Sequence, residues 1–226
     1  MLKALIFDFD GLILDTETPE YLAWKDIYQE YGFELPSGEW GKIVGGFGLS
    51  DFDAAEHLSQ LLSSSQRAHG QLDSASLRAR HRSESGSLIH AQEILPGVLD
   101  MIHQAKQLGL KLAIASSSPH AWVDAHAERL GILHHFEAVI CADDVGPGRT
   151  KPNPDLFLLA LKQLQAQKEE AVVFEDSPNG VTAAQRAGIF VVAVPNPVTS
   201  LLSLDGANLV AKSLKDISLI ELNQLI

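Results

Sequence analysis

The feature that most constrains this chain is an apolar segment near its start that ends abruptly in carboxylates. Residues 2–9 are apolar apart from Lys3 and Asp8, which is typical of a strand buried on both faces of a parallel sheet. Asp10 follows one residue later, and Gly11 then allows the chain a sharp exit. Because residues i and i+2 of a strand point to the same side, both carboxylates face one small volume, where they repel unless a cation or a shared proton intervenes. The pattern favours a chemical site over a capped, solvated strand end.

Length and composition limit the class of protein. The chain has 226 residues, enough for one sizeable core or for one domain with a smaller one inserted into it. Its formal net charge of -12 disfavours nucleic acid and anionic membranes as partners. Cys141 is the only cysteine, so a disulfide framework and a cysteine metal cluster are excluded. No apolar stretch approaches the roughly 20 residues of a membrane span, and the first strand leaves no room for a signal peptide. We therefore expect a cytoplasmic monomer with no nucleic-acid or membrane partner.

The order of the predicted elements indicates an interrupted α/β fold. In the second part of the chain, strand-like and helix-like segments alternate with short connections, as in a doubly wound, Rossmann-like parallel sheet. Residues 17–92 have a helical pattern instead, and the first helix is predicted to start with Thr18 as its cap and Pro19 at its first position. The segments 1–16 and 93–226 are therefore predicted to form one domain, interrupted by a helical one.

Polar side chains follow two further predicted strands and one loop. Ser116, followed by Ser117, ends the strand-like segment LAIAS, where hydroxyls and turn amides make an anion cradle, although serine before proline is also an ordinary helix cap. Glu175 and Asp176 end another apolar segment and suit a hard cation such as Mg²⁺. Lys151 lies in the loop TKPNPD, whose prolines would hold its ammonium near the strand ends; the alternative is a solvated charge.

These segments resemble the four motifs of the haloacid dehalogenase superfamily of phosphotransferases, in the same order: DFDGLILDTE, IASSS, KPNP and FEDSPNG. The resemblance covers essentially the whole chain. The position of the helical insert resembles that of the C1 helical cap in the phosphoglucomutase-like branch. The resemblance implies a sheet with strand order 3-2-1-4-5, a catalytic core at 1–16 and 93–226, and an α-helical cap domain at 17–92 that closes over the core site.

The resemblance also implies a role for each matching residue. Asp8 would be the nucleophile that becomes an aspartyl phosphate, and Asp10 the general acid for the leaving oxygen and then the base for water. Ser116, Ser117 and Lys151 would bind the phosphoryl group of the substrate. Mg²⁺ would be held by oxygen atoms of four residues: Asp8, the main-chain carbonyl of Asp10, Asp176, and Glu175 directly or through water. The residue chemistry agrees, since an ionised carboxylate attacks phosphorus once a cation reduces the charge repulsion.

The function predicted in this way is a Mg²⁺-dependent phosphomonoesterase for a small phosphorylated metabolite, above all a sugar phosphate. A hexose-phosphate mutase is the alternative within the same family. A phospho-ligand-binding or regulatory protein that does not turn over is the alternative from another class, and the intact carboxylates and lysine disfavour it.

The cap argues for a phosphatase rather than a mutase. A mutase must hold a second phosphoryl group with a fixed cation. In the β-phosphoglucomutases that this sequence resembles, a cap loop supplies an Arg and the first cap helix a His. Here the corresponding loop, 44–51, has no basic residue, and Glu20 lies close to where the His is expected. Glu20, Gly46 and Phe47 are the predicted substrate-contacting residues of the cap. Four basic residues elsewhere could supply the missing charge: Lys42, Arg78, Arg80 and Arg82.

Overall fold

The computed structural model describes residues 1–43, 51–65 and 72–226. Two compact units make up the chain: Met1–Asp15 together with Glu93–Ile226, and Thr16–Gln92. The predicted contact residues Gly46 and Phe47 lie outside the described residues.

The first unit alternates strands with helices, and the second is helical. The strands are β1 (Ala4–Phe7), β2 (Lys111–Ala115), β3 (Ala138–Ile140), β4 (Ala171–Glu175), β5 (Phe190–Ala193) and β6 (Leu209–Val210). The helices of the first unit are α5 (Val98–Gln107), α6 (His120–Arg129), α7 (Ala142–Val145), α8 (Asp155–Leu164), α9 (Pro178–Ala187) and α10 (Leu219–Leu225). Those of the second unit are α1 (Glu17–Glu30), α2 (Ser37–Ile43), α3 (Ala54–Ser64) and α4 (Ser74–His90).

The strands form one parallel sheet in the order β3-β2-β1-β4-β5-β6. In the central strand β1, Ala4 lies opposite Lys111 of β2 on one side and Ala171 of β4 on the other. This confirms the expected order 3-2-1-4-5, to which β6 adds a short edge strand. The strand order reverses between β1 and β4, and in open α/β sheets ligands bind beyond the carboxyl ends of the strands at such a switch point.

Burial of both faces explains the apolar sequence of β1. Ala4 and Ile6 are fully buried in the core cluster that also contains residues of α8 and α9. On the other side, the ring of Phe7 contacts the rings of Phe174, at 5.1 Å between centroids, and Phe136, at 5.9 Å. A strand covered on both sides has no position for a charge until it ends, so the first carboxylate marks the edge of the sheet.

The helical unit has an aromatic core of its own. Trp24 of α1 stacks on His81 of α4 with ring centroids 4.4 Å apart. The hydroxyl of Tyr28 donates to the carbonyl oxygen of Ala54 at 2.8 Å, which ties α1 to α3. Trp24 and Trp40 are both buried, so these large rings stabilise the unit.

Helix α1 begins before the predicted position. Thr16 is its N-cap residue and Glu17 its first residue, so the proline at position 19 is the third residue of the helix. The backbone of the first helical turn has no intrahelical acceptor for its N–H groups, and proline is tolerated there because it lacks that donor. The pattern therefore identified the correct turn but placed its start too late.

Among the helices of the described residues, none combines the length and the apolar character that crossing a membrane requires.

Candidate active site

Three charged side chains meet where β1 and β4 end. Asp8 follows β1 directly, and its backbone N–H donates to the carbonyl oxygen of Phe174, which extends the pairing with β4. The Nζ atom of Lys151 lies 2.5 Å from Oδ1 of Asp8 and 2.6 Å from Oε1 of Glu175. All three side chains are buried. The loop lysine that the sequence left open as a solvated charge is thus a buried bridge between two carboxylates.

Glu175 is held by the turn that follows β4. Its Oε2 atom accepts hydrogen bonds from the backbone N–H groups of Asp176 and Ser177 and from the Ser177 hydroxyl, at 3.0, 3.1 and 3.0 Å. Gly180 leaves room for this carboxylate, because a Cβ atom at that position would lie 1.8 Å from the carboxyl group of Glu175. One oxygen of Glu175 is therefore fixed by the turn and the other by the lysine.

Burial and charge set the protonation of the central pair. The pKa of Asp8 is raised to about 8: burial contributes most, the charge of Glu175 adds to the rise, and the Lys151 ammonium opposes it. Burial lowers the pKa of Lys151, but the attraction of Asp8 and Glu175 outweighs this and leaves the pKa above its usual value. Lys151 therefore stays protonated at neutral pH, and additional positive charge near Asp8 would favour the ionised carboxylate.

The group has the composition of a divalent cation site. One oxygen atom from each of Asp8, Glu175 and Asp176 lies within 4.8 Å of the other two, and all three residues are buried. Lys151 pairs with two of these three carboxylates, so the group with all four side chains ionised carries two more negative than positive charges. Carboxylate oxygens are hard ligands that suit Mg²⁺ or Ca²⁺. The residues fit a divalent metal ion.

Asn196 and Gly11 position the third carboxylate of this cluster. The side-chain amide of Asn196 donates to Oδ2 of Asp176 at 2.8 Å and to the carbonyl oxygen of Gly11 at 3.3 Å. Gly11 has φ +82°, and a Cβ atom there would lie 2.2 Å from the same Oδ2 atom. Glycine is required at this turn both for its backbone angle and for the close approach of Asp176.

Asp10 contacts the loop after β2 and the start of α6. Its Oδ2 atom accepts hydrogen bonds from the hydroxyls of Ser118, at 2.7 Å, and Ser116, at 3.2 Å. Its Oδ1 atom accepts from Nε1 of Trp122, at 2.8 Å. The two aspartates after β1 thus have different partners: Asp8 pairs with Lys151, and Asp10 accepts hydrogen bonds from neutral donors.

The loop that carries Lys151 is fixed from its far side. The guanidinium of Arg186, on α9, donates to the carbonyl oxygen of Pro152 at 2.8 Å. The Lys151 ammonium also lies 5.2 Å from the centre of the Phe157 ring, at the start of α8. Both contacts restrict the position of the lysine next to the two carboxylates.

The roles of the other predicted site residues stay predictions. Ser117 is exposed in the turn between Ser116 and Ser118, and its contact with phosphate stays a prediction. Glu20 belongs to α1 of the helical unit, where its carbonyl oxygen lies 3.0 Å from Nε2 of His81. The metal contact expected from the main-chain carbonyl of Asp10 also stays a prediction.

Sequence reasoning missed several side chains that hold the carboxylates, among them Asn196 and Trp122. Asn196 lies between two prolines just after β5. Two prolines close together in a loop also drew attention to Lys151, which precedes such a pair, so the same reasoning could have found Asn196. Trp122 lies in the first turn of α6, and its position in the sequence carried no comparable signal.

Fold and site together define a Rossmann-like α/β enzyme built around a buried carboxylate. The sequence profile of the family described as haloacid dehalogenase-like hydrolase matches residues 5–194. The chain belongs to this family.

Named relatives include phosphatases. The chain is 42% identical over 205 residues to the Bacillus subtilis (strain 168) protein named "Putative phosphatase YhcW", covering 91% of this chain and 89% of that protein. It is 32% identical over 192 residues to the fructose-1-phosphate phosphatase YqaB of Escherichia coli (strain K12), covering 84% and 95%. A solved structure described as "putative beta-phosphoglucomutase" from Thermotoga maritima matches with a TM-score of 0.74 at 27% identity, covering 100% of each chain.

Proposed function

We propose that the chain is a Mg²⁺-dependent phosphomonoesterase that removes the phosphoryl group from a small phosphorylated sugar through an aspartyl phosphate on Asp8. The observation that carries the proposal is the pairing of Asp8 with Lys151 inside a cluster of three buried carboxylates. The pairing supports Asp8 as the nucleophile, because an ionisable carboxylate lies beside a fixed cation and the excess negative charge of the cluster favours a divalent metal. In the proposal, the strand-bearing unit is the catalytic core and the helical unit is the cap.

The first half of the reaction transfers the phosphoryl group to the enzyme. A carboxylate oxygen of Asp8 forms a bond to phosphorus while the bond from phosphorus to the sugar oxygen breaks. The leaving oxygen takes a proton from Asp10. Lys151 stabilises the charge of the transferring group, and the hydroxyl and turn amides at Ser116 orient its oxygens.

The second half returns the enzyme to its starting state. Water attacks the phosphorus of the aspartyl phosphate and gives its proton to Asp10, which the first half left ionised. The bond from phosphorus to Asp8 then breaks and inorganic phosphate leaves. Mg²⁺, held by Asp8, Asp176, the Asp10 carbonyl and Glu175 directly or through water, would neutralise phosphoryl charge when bound. One acid–base residue serves both halves because the proton that it gives to the leaving oxygen is replaced by one from the attacking water.

Two observations support a sugar phosphatase over a mutase. A relative that covers most of the chain is named as a fructose-1-phosphate phosphatase. In the helical unit, Arg78 lies 2.6 Å from a carboxylate oxygen of Asp53. Arg80 lies 2.5 Å from Glu30 and 2.7 Å from Glu84. Two of the basic residues that could replace the missing mutase cation are therefore already paired with carboxylates of their own unit.

The test is release of inorganic phosphate from a panel of phosphorylated hexoses and pentoses. Wild type should be active with Mg²⁺ and silent in excess EDTA. Asp8→Asn should abolish turnover while it keeps the circular dichroism spectrum of the wild type. Asp205→Asn, an exposed aspartate outside the cluster, is the matched control and should keep full activity. Wild-type rates from Asp8→Asn would exclude the aspartyl-phosphate route.

The two rival functions give different results in the same system. With β-glucose 1-phosphate and catalytic glucose 1,6-bisphosphate, a mutase forms glucose 6-phosphate faster than inorganic phosphate. A binding protein forms neither product, but addition of the phosphorylated sugar raises its melting temperature. The proposed phosphatase releases inorganic phosphate as its main product.

A further inference from the structure

Asp10 is held by two kinds of hydrogen-bond donor. Oδ1 accepts from the indole N–H of Trp122 at 2.8 Å, and Oδ2 accepts from the hydroxyls of Ser118 and Ser116 at 2.7 and 3.2 Å. The serines lie in the loop after β2, whereas the tryptophan lies on α6. The contact from Trp122 spans 112 residues of sequence.

The two kinds of donor restrict the two oxygens differently. An indole N–H can only donate, whereas a hydroxyl can rotate to donate or accept. While the indole bond is in place, Oδ1 serves as an acceptor. Oδ2 can either accept from the serines or carry a proton that a rotated hydroxyl accepts. The geometry therefore distinguishes the oxygens of one carboxylate.

We propose that Trp122 is a positioning residue that turns Asp10 so that Oδ2 exchanges the proton of the reaction. Oδ2 gives its proton to the leaving sugar oxygen and later takes one from the attacking water. The indole proton of Trp122 stays on its nitrogen throughout. This inference rests on the proposed phosphatase function and adds to it the group that orients its acid and base.

The fold fixes the indole from its other side. Helix α6 is anchored by the buried residues Val123 and Ala127. The ring of Trp122 packs edge-on against His126, one helical turn later, with centroids 4.3 Å apart. A ring held between a helix neighbour and the carboxylate has little freedom to leave Asp10.

The kinetic test uses Trp122→Phe, which keeps an aromatic ring and removes the N–H group. The measured quantity is kcat/KM, because it covers the steps up to departure of the leaving group. Loss of one hydrogen bond to a charged group corresponds to about 10- to 100-fold. We expect that loss on an alkyl phosphate such as a sugar phosphate, and a much smaller one on 4-nitrophenyl phosphate, whose leaving group needs no proton. Trp24→Phe, which changes a tryptophan of the helical unit, should keep the wild-type ratio of the two substrates.

A double variant separates a positioning role from a general loss of structure. In an Asp10→Asn background, Trp122→Phe should cause no further loss on the alkyl phosphate, because the group that it orients no longer exchanges a proton. Equal losses in both backgrounds, or equal losses on both substrates, overturn the inference. Wild type that releases no phosphate from any substrate overturns the proposed function, and the inference with it.

A spectroscopic measurement covers the case in which Trp122→Phe does not fold. The chain has three tryptophans, so its ¹⁵N-labelled form gives three indole N–H resonances. Trp24→Phe and Trp40→Phe each remove one, which assigns the third to Trp122. Asp10→Ala should move that third resonance upfield and leave the other two in place. A Trp122 resonance that does not move in Asp10→Ala overturns the inference.

Discussion

The Nζ atom of Lys151 lies 2.5 Å from Oδ1 of Asp8, and the two side chains come from positions 143 residues apart. Both are buried, and Glu175 shares the same ammonium at 2.6 Å. Removing one partner of a buried ion pair leaves an uncompensated charge, which costs far more than removing an exposed pair. The buried Asp8–Lys151 pair should therefore contribute more to the free energy of unfolding than an exposed ion pair of similar length.

Lys151→Gln should therefore destabilise the protein by about 3 kcal/mol, because Asp8 and Glu175 lose their shared cation. Lys3→Gln removes an ion pair of similar length, with Glu170 at 2.6 Å, but the Lys3 side chain is 58% exposed. The Lys3→Gln variant should lose less than about 1 kcal/mol of unfolding free energy. Urea unfolding in EDTA measures the unfolding free energy of both variants. Equal costs for the two variants would show that the buried site tolerates the uncompensated carboxylates.

Gly11→Ala should weaken metal binding as well as stability. The new Cβ atom would lie 2.2 Å from Oδ2 of Asp176, so that carboxylate must move. Gly146→Ala is a matched control: its φ of +81° is almost the same as the +82° of Gly11, but a Cβ atom there meets nothing within 4 Å. Both variants should lose about 1 kcal/mol or more from backbone strain. Titration calorimetry with Mg²⁺ should show a loss of affinity in Gly11→Ala alone, and a loss in both would contradict the assignment.

Asn196→Ala should lower the affinity for Mg²⁺ by about 10-fold or more, because Asp176 loses the donor that orients it. Asn208→Ala is the control, since Asn208 also makes a hydrogen bond in a loop, to the backbone of Val191, away from the carboxylates. Calorimetry on both variants separates orientation of the ligand from loss of loop structure. Unchanged affinity in Asn196→Ala would mean that the turn alone positions Asp176.

His120 should stabilise the protein more at acidic pH than at alkaline pH. Its ring nitrogens lie 2.8 Å from Asp144 and 3.1 Å from Asp124. Burial lowers the pKa of His120, but the two carboxylates outweigh it, so the pKa is raised above 6.5. Since the folded state holds the proton more tightly, this stabilisation is complete below pH 6.5 and disappears as the pH rises through the raised pKa.

The His120 effect can be measured against His120→Gln. At acidic pH the variant should melt about 2 °C below the wild type, a small shift because the ring is partly exposed. The difference should shrink at alkaline pH, where wild-type His120 is neutral. A difference that grows with pH would contradict the pairing with the carboxylates.

The sequence predicted those parts of the site that depend on local pattern. Asp8, Asp10, Glu175 and Asp176 each follow an apolar segment, and the carboxyl ends of parallel strands meet at one edge. The contacts made by Trp122 and Asn196 join residues 112 and 20 positions apart. These contacts depend on how a helix and a loop are placed relative to the sheet, and the periodicity of apolar residues along the sequence does not predict that placement. The start of α1 was predicted two residues too late, because proline is tolerated throughout the first turn of a helix and does not define its first residue.

The position of β1 in the sheet has a consequence for synthesis of the chain. The strand that leads to Asp8 is made before β2 and β4, yet Ala4 pairs with Lys111 of β2 on one side and with Ala171 of β4 on the other. A nascent chain that ends before β4 leaves one edge of β1 unpaired, and it lacks Glu175 and Asp176 as well. Closing such distant pairs is slow, because the entropy lost in closing the long intervening loop comes before the gain from the contacts. Such a chain lacks two of the three carboxylates of the proposed metal site. Under the proposed function, we therefore expect a truncated product that stops before β4 to release no phosphate.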